Sequence, residues 1–304
     1  MLLSNKIPIT SIIKGAWRVF FFITLTSTCT YILYEYFLAG KYDLPGMIPT
    51  VLGTALAFFI GFKNNQAYDR WWEARKIWGS LVNDSRTWAR QILYYTTTSQ
   101  NIPPDKLNAI RSSVLKRHIA FLYALKEFLR EEKNGEYNHY LSEEDITSIM
   151  SKSNKHNAIL NLQSKDLGEM KSNGVIDGFM FIELNKSLIA FCDKMGMSER
   201  IKNTVFPSIY HRYTRMFIWI FIVCVTAVAS GSIGIWSILL GTVVGLIYVV
   251  SHMVGMTLLN PFDQLITGIP LNQITRTIEI NLLETLGESN IPEPINSIKD
   301  KYIM

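Results

Sequence analysis

From Met216 to Phe262 the chain contains no Asp, Glu, Lys or Arg, and apolar side chains dominate throughout. An uncharged stretch of that length is foreign to a soluble core, but it is what two helices crossing about 30 Å of hydrocarbon require. Gly231-Ser232-Ile233-Gly234 divides it into Met216–Ala229 and Ile233–Leu259, so it reads as a helical hairpin in lipid. Composition agrees, since 48% of the 304 residues are hydrophobic, 18% are charged, and the mean hydropathy is +0.15.

Two earlier segments extend this pattern. Val19–Leu38 is long enough to span; Leu44–Phe62 is marginal and carries Pro49, Thr50 and Thr54, so hydropathy alone also admits a buried core helix there. Lys6, Lys14 and Arg18 precede the first run, Lys63, Arg70, Arg75 and Lys76 follow the second, and Arg212 and Arg215 precede the third. By the positive-inside rule both termini and the middle of the chain are cytosolic. The first run has no small-residue cleavage pattern and reads as a retained span rather than a signal peptide. The expectation is an all-α membrane protein with four transmembrane helices and a large cytosolic helical part. It divides into 1–63 with the first two spans, a cytosolic region 64–213, spans three and four in 214–260, and a cytosolic tail 261–304.

In the middle region apolar residues recur at helical spacing. Trp71, Trp78, Leu81, Trp88 and Ile92 predict one long helix; Ile110, Val114, Phe121, Leu125 and Phe128 a second; Ile176, Met180, Leu184, Leu188, Phe191 and Met195 a third. Such stripes are ordinarily core. Ser142 before Glu143-Glu144-Asp145 marks a helix start, and the polar stretch from Ser151 to Asn173 is expected to be the most mobile part.

Chemistry-bearing motifs are absent: no phosphate loop, HExxH, GxSxG or Cys/His ligand spacing occurs, which argues against an enzyme. Cys29, Cys192 and Cys224 share no CxxC spacing and read as inert buried thiols. The net charge of +5 comes from scattered residues rather than a basic block, so nucleic acid is not an expected partner. Of the five histidines, His252 stands out, because an ionisable group in the last span faces protein or water; it is either a helix-packing residue or part of a conduit.

The second span sorts its side chains into two stripes at four-residue spacing. Gly53, Ala57 and Gly61 form a small stripe that lets a neighbouring helix approach closely; Thr54, Phe58 and Phe62 form a bulky one about 100° away. In a ring of such helices the bulky stripe would form a hydrophobic neck that conducts when wetted or widened. From the residues alone, packing against lipid or core is the commoner use of both phenylalanines.

Immediately afterwards the chain reads Gly61-Phe62-Lys63-Asn64-Asn65-Gln66-Ala67-Tyr68-Asp69-Arg70-Trp71-Trp72-Glu73-Ala74-Arg75, then Lys76-Ile77-Trp78-Gly79-Ser80-Leu81-Val82-Asn83. Phe206-Pro207-Ser208-Ile209-Tyr210, Asn260-Pro261-Phe262 and Arg276-Thr277-Ile278-Glu279-Ile280-Asn281 follow in order. Together these resemble the bestrophin signature over nearly the whole chain. The resemblance implies a homopentameric channel in the cell (inner) membrane, with neck rings at Thr54, Phe58 and Phe62 and a cytosolic aperture at Phe206, where a branched aliphatic residue is the family's usual choice. Lys63 and His252 are further candidates for lining the conduit.

Animal members follow Asn-Pro-Phe with a run of acids that clasps calcium. Here Asp263-Gln264-Leu265-Ile266-Thr267-Gly268-Ile269-Pro270 offers one carboxylate, too few for a cation that prefers six to eight oxygens, so no calcium clasp and no cofactor are expected. The departure resembles the bacterial branch. The partners expected are lipid, further copies of the chain and small monovalent ions. Ring edges carry partial positive charge and no acid lies on the bulky stripe, which favours anions such as chloride. The alternatives are a monovalent-cation channel, as in some bacterial relatives, and a membrane-anchored cytosolic scaffold. A secondary transporter would need the inverted repeats and broken helices that this chain lacks.

Overall fold

The computed structural model describes residues 9–41, 44–97, 102–204 and 208–296, except the side chains of residues 9–16 and 208. Every regular element among them is helical. In order they are α1 (Ile9–Leu33), a π-helical turn (Tyr34–Leu38), α2 (Met47–Tyr95), α3 (Pro104–Arg130), a 3-10 turn (Glu136–Tyr140), α4 (Glu143–Met150), α5 (Lys155–Ser172), α6 (Gly178–Asn203), α7 (Ser208–Ile233), α8 (Trp236–Leu258) and α9 (Leu271–Leu286). They form two compact units, which divide at 71/72, 204/205 and 259/260.

The first unit contains α1, the π-helical turn, the start of α2, α7 and α8. Among the described residues α2, α7 and α8 are long and apolar enough to cross a membrane, and α1 with the π-helical turn covers the remaining predicted run. The core joins Ile23, Leu56, Ile60, Ile218, Phe221 and Ile222. Helix approach depends on α8 glycines. A Cβ on Gly241 would sit 2.0 Å from Thr226 Oγ1, and one on Gly245 would sit 2.8 Å from Ile23. Hydroxyls that lipid cannot solvate turn back to their own helices, as in Thr24 to the Phe20 carbonyl (2.9 Å) and Thr226 to that of Ile222 (2.7 Å). The α7 helix runs through Gly231, and the chain reverses at Gly234, whose φ of +58° suits a residue without a Cβ.

The second unit holds the rest of α2 with α3 to α6 and α9. The predicted stripes supply its core: Trp78, Leu81, Trp88 and Ile92 of α2, Val114, Phe121 and Leu125 of α3, and Leu184, Leu188, Phe191 and Met195 of α6 are buried. Phe128 and Met180, at stripe ends, are only partly covered. Ser142 caps α4, its oxygen accepting the Asp145 amide at 3.2 Å. The polar stretch 151–173, expected to be the least ordered, instead forms α5, capped by Asn154 and packed on α3 and α6. His156 and Gln163 lie on its buried stripe beside Ile159, Leu160, Leu167 and Met170, and these polar members conceal the periodicity. His156 is held by Glu199 at 2.6 Å, and Arg117 bridges Asp145 and Asp166. In the packed centre, burial holds the His118 imidazole at a pKa of about 3, with Ser85 Oγ 2.9 Å from its Nε2.

Candidate functional site

Along its apolar part α2 has one packed face and one open face. Gly53, Leu56, Ile60, Lys63 and Ala67 are buried, and at 100° per residue they cluster opposite Phe58. The open face carries Thr54, Phe58 and Phe62, with the two rings 67% and 54% exposed. Phe58 and Phe62 meet edge to face at 4.6 Å between centroids, and the Thr54 hydroxyl donates to the Thr50 carbonyl at 2.9 Å, leaving its methyl group as the side chain's apolar contribution. Packing within the chain thus consumes the face opposite the bulky stripe, which stays a continuous apolar ridge.

The small stripe is split. Gly53 meets this chain's own core: its carbonyl accepts the Tyr248 hydroxyl at 3.0 Å, and a Cβ there would lie 3.0 Å from the Phe221 ring. Ala57 and Gly61 are exposed, and a Cβ on Gly61 would meet nothing within 4 Å. Beyond Phe59, an almost wholly apolar cleft of about 530 Å³ lies between α2 and α7, lined by Leu56, Ile209, Tyr213 and Phe217.

Lys63 and His252, far apart in sequence, are neighbours. Lys63 is 1% exposed, with its Nζ 3.5 Å from His252 Nδ1 and 3.0 Å from Met256 Sδ. His252, 4% exposed, stacks on His211 of α7, its Nε2 2.9 Å from His211 Nδ1. Both predicted residues therefore lie inside the packed helices of one protomer rather than on the open ridge. His211 escaped the sequence reading because nothing local distinguishes it. Lys63 shares a face with Leu56 and Ile60 by its spacing, but only the packing makes that face the buried one. Phe206 lies outside the described residues.

In the other unit a cleft of about 540 Å³ is lined by Tyr123, Tyr140, Arg276 and Glu279 among others. Glu279 is 2% exposed, accepts both tyrosine hydroxyls and lies 3.2 Å from Arg276 Nε. Burial, followed by the adjacent carboxylate, raises both phenols above their ordinary range. These charges match one another, so the Arg276–Asn281 motif anchors α9.

The family model described as bacterial/fungal bestrophin protein matches residues 5–284. The voltage-dependent anion channel-forming protein YneE of Escherichia coli is 28% identical over 247 residues, covering 81% of this chain and 78% of that protein. A voltage-dependent anion channel-forming protein of Nostoc sp. is 28% identical over 243 residues, covering 79% and 76%. The crystal structure of a bacterial bestrophin homologue from Klebsiella pneumoniae superposes with a TM-score of 0.81 at 25% identity, covering 89% of this chain and 98% of that one. With this match over most of its length and a shared fold, the chain belongs to the bacterial and fungal bestrophin family.

Proposed function

We propose that this protein is an anion channel of the cell (inner) membrane, built from five copies around a common axis, each with four spans and cytosolic termini. The Thr54-Phe58-Phe62 ridges form its neck. One observation carries the reading: the second span places its buried residues opposite Phe58 and leaves two large aromatic rings, packed edge to face on each other, at 67% and 54% exposure. Exposed Ala57 and Gly61 beside that ridge give a neighbouring copy of α2 room to approach. A dry neck of ring edges favours anions, in keeping with the names of the E. coli and Nostoc relatives. Phe206 forms the cytosolic aperture in this reading.

Calcium is not part of the mechanism. The Asn260–Pro270 turn offers a single carboxylate, Asp263, which already accepts the Asn260 amide. The test is the reversal potential of the purified protein in a planar bilayer under a KCl gradient. A shift to the chloride equilibrium potential is expected; a shift to the potassium potential would replace the reading with a cation channel, and silence in all conditions would favour a membrane-anchored scaffold.

A further inference from the structure

Lys63 is placed where a lysine is costly. Its ammonium is buried among helices, and within the described residues its polar neighbours are His252 and the Met256 sulfur, with no carboxylate pairing with it. Buried charges are ordinarily paired, so an unpaired one calls for a reason other than stability. Methionine or leucine would fill the same stripe without the desolvation cost, so packing does not explain the side chain.

The surroundings offer it no counter-charge. His252 links Lys63 to His211, and the cation Arg215 stands one helical turn beyond His211 on the same side of α7. Carboxylates are scarce throughout the unit: its sequence contains Glu35, Asp43 and Asp69, and α7 and α8 contain none. The cluster also adjoins the ridge, because Lys63 follows Phe62 directly on α2.

We infer that Lys63 and Arg215, with the His252–His211 pair between them, form an acid-free cationic centre behind the neck, whose field, rather than any direct contact with the ion, sets the preference for anions. The inference rests on the neck reading above and assigns its charge selectivity to residues that do not line it. A charge buried in low dielectric is poorly screened, so its field reaches the adjoining lumen, where repeated copies add.

The experiment compares chloride-to-potassium permeability ratios, from reversal potentials in a KCl gradient, for the reconstituted wild type and three variants. Lys63→Met should lower the ratio about fivefold or more, and Lys63→Arg, which keeps the charge, should stay within about twofold of wild type. Arg215→Gln, an exposed change that leaves the packed core untouched, should lower the ratio in the same direction by less, and it decides the matter if Lys63→Met does not assemble. Unchanged ratios in the neutralising variants would overturn the inference, as would an equal loss in Lys63→Arg, which would indicate packing rather than charge. The sign of the wild-type potential tests the anion reading; the difference between variant and wild type tests this centre whichever sign is found.

Discussion

Phe58→Ala separates the role of the ridge in permeation from any role in folding. Because Phe58 is 67% exposed in its own chain, only about a third of the 3–5 kcal/mol typical of truncating a buried phenylalanine applies, on the order of 1–1.5 kcal/mol. Loss of the edge-to-face contact with Phe62 at 4.6 Å falls within that sum. The effect on gating is larger. Wetting a dry neck costs about 25 cal/mol per Å² of apolar surface, so a ring presenting on the order of 40 Å² to the lumen contributes about 1 kcal/mol per subunit and several around a pentamer. Even with the alanine methyls and the Phe62 rings left in place, open probability should rise about tenfold or more, equivalent to about 1.4 kcal/mol. Single-channel recording of the reconstituted variant, beside a thermal melt in detergent, gives both quantities. If Phe58→Ala and Phe62→Ala both melt near wild type and carry unchanged currents, the ridge is not the constriction.

Gly241→Ala should lower the melting temperature, at a cost of about 1–3 kcal/mol, because the new Cβ would lie 2.0 Å from Thr226 Oγ1 and 2.8 Å from Ser27 Oγ. Gly61→Ala meets nothing within 4 Å in its own chain, so it should leave the protomer's stability unchanged but impair assembly, read by light scattering. His118 should make the second unit acid-labile. Its folded pKa of about 3 lies below the ordinary 6.5, so the unfolded state binds more protons below pH 6.5, and stability is full above that value and falls as the pH drops towards 3. At pH 4.5 the loss is on the order of 3 kcal/mol, and His118→Gln should flatten this part of a melting-temperature profile against pH. Channel currents should not respond to micromolar calcium; a reproducible increase would show that backbone carbonyls complete a site around Asp263.

Much of the architecture was legible because lipid imposes strong rules on sequence. The charge-free stretch from Met216 to Phe262 could be little other than a helical hairpin, and α7 and α8 occupy it. Stripes through Trp78 and Trp88, and through Leu184 and Phe191, were readable as core because amphipathic periodicity survives in soluble helices. Helix α5 was not, since His156 and Gln163 interrupt its apolar stripe and only their tertiary setting makes them buried positions.

The second span shows the same division on a smaller scale. By itself, the sequence determined that Thr54, Phe58 and Phe62 share one face, because residues four apart on a helix always do. Only the tertiary structure decided that this face is the open one, because α2 turns Leu56, Ile60 and Lys63 towards its own chain. It also decided that Lys63, His252 and His211 form one cluster. Residues from three helices meet through packing at separations that no local periodicity encodes, whereas the shared face of a single helix follows from its pitch alone.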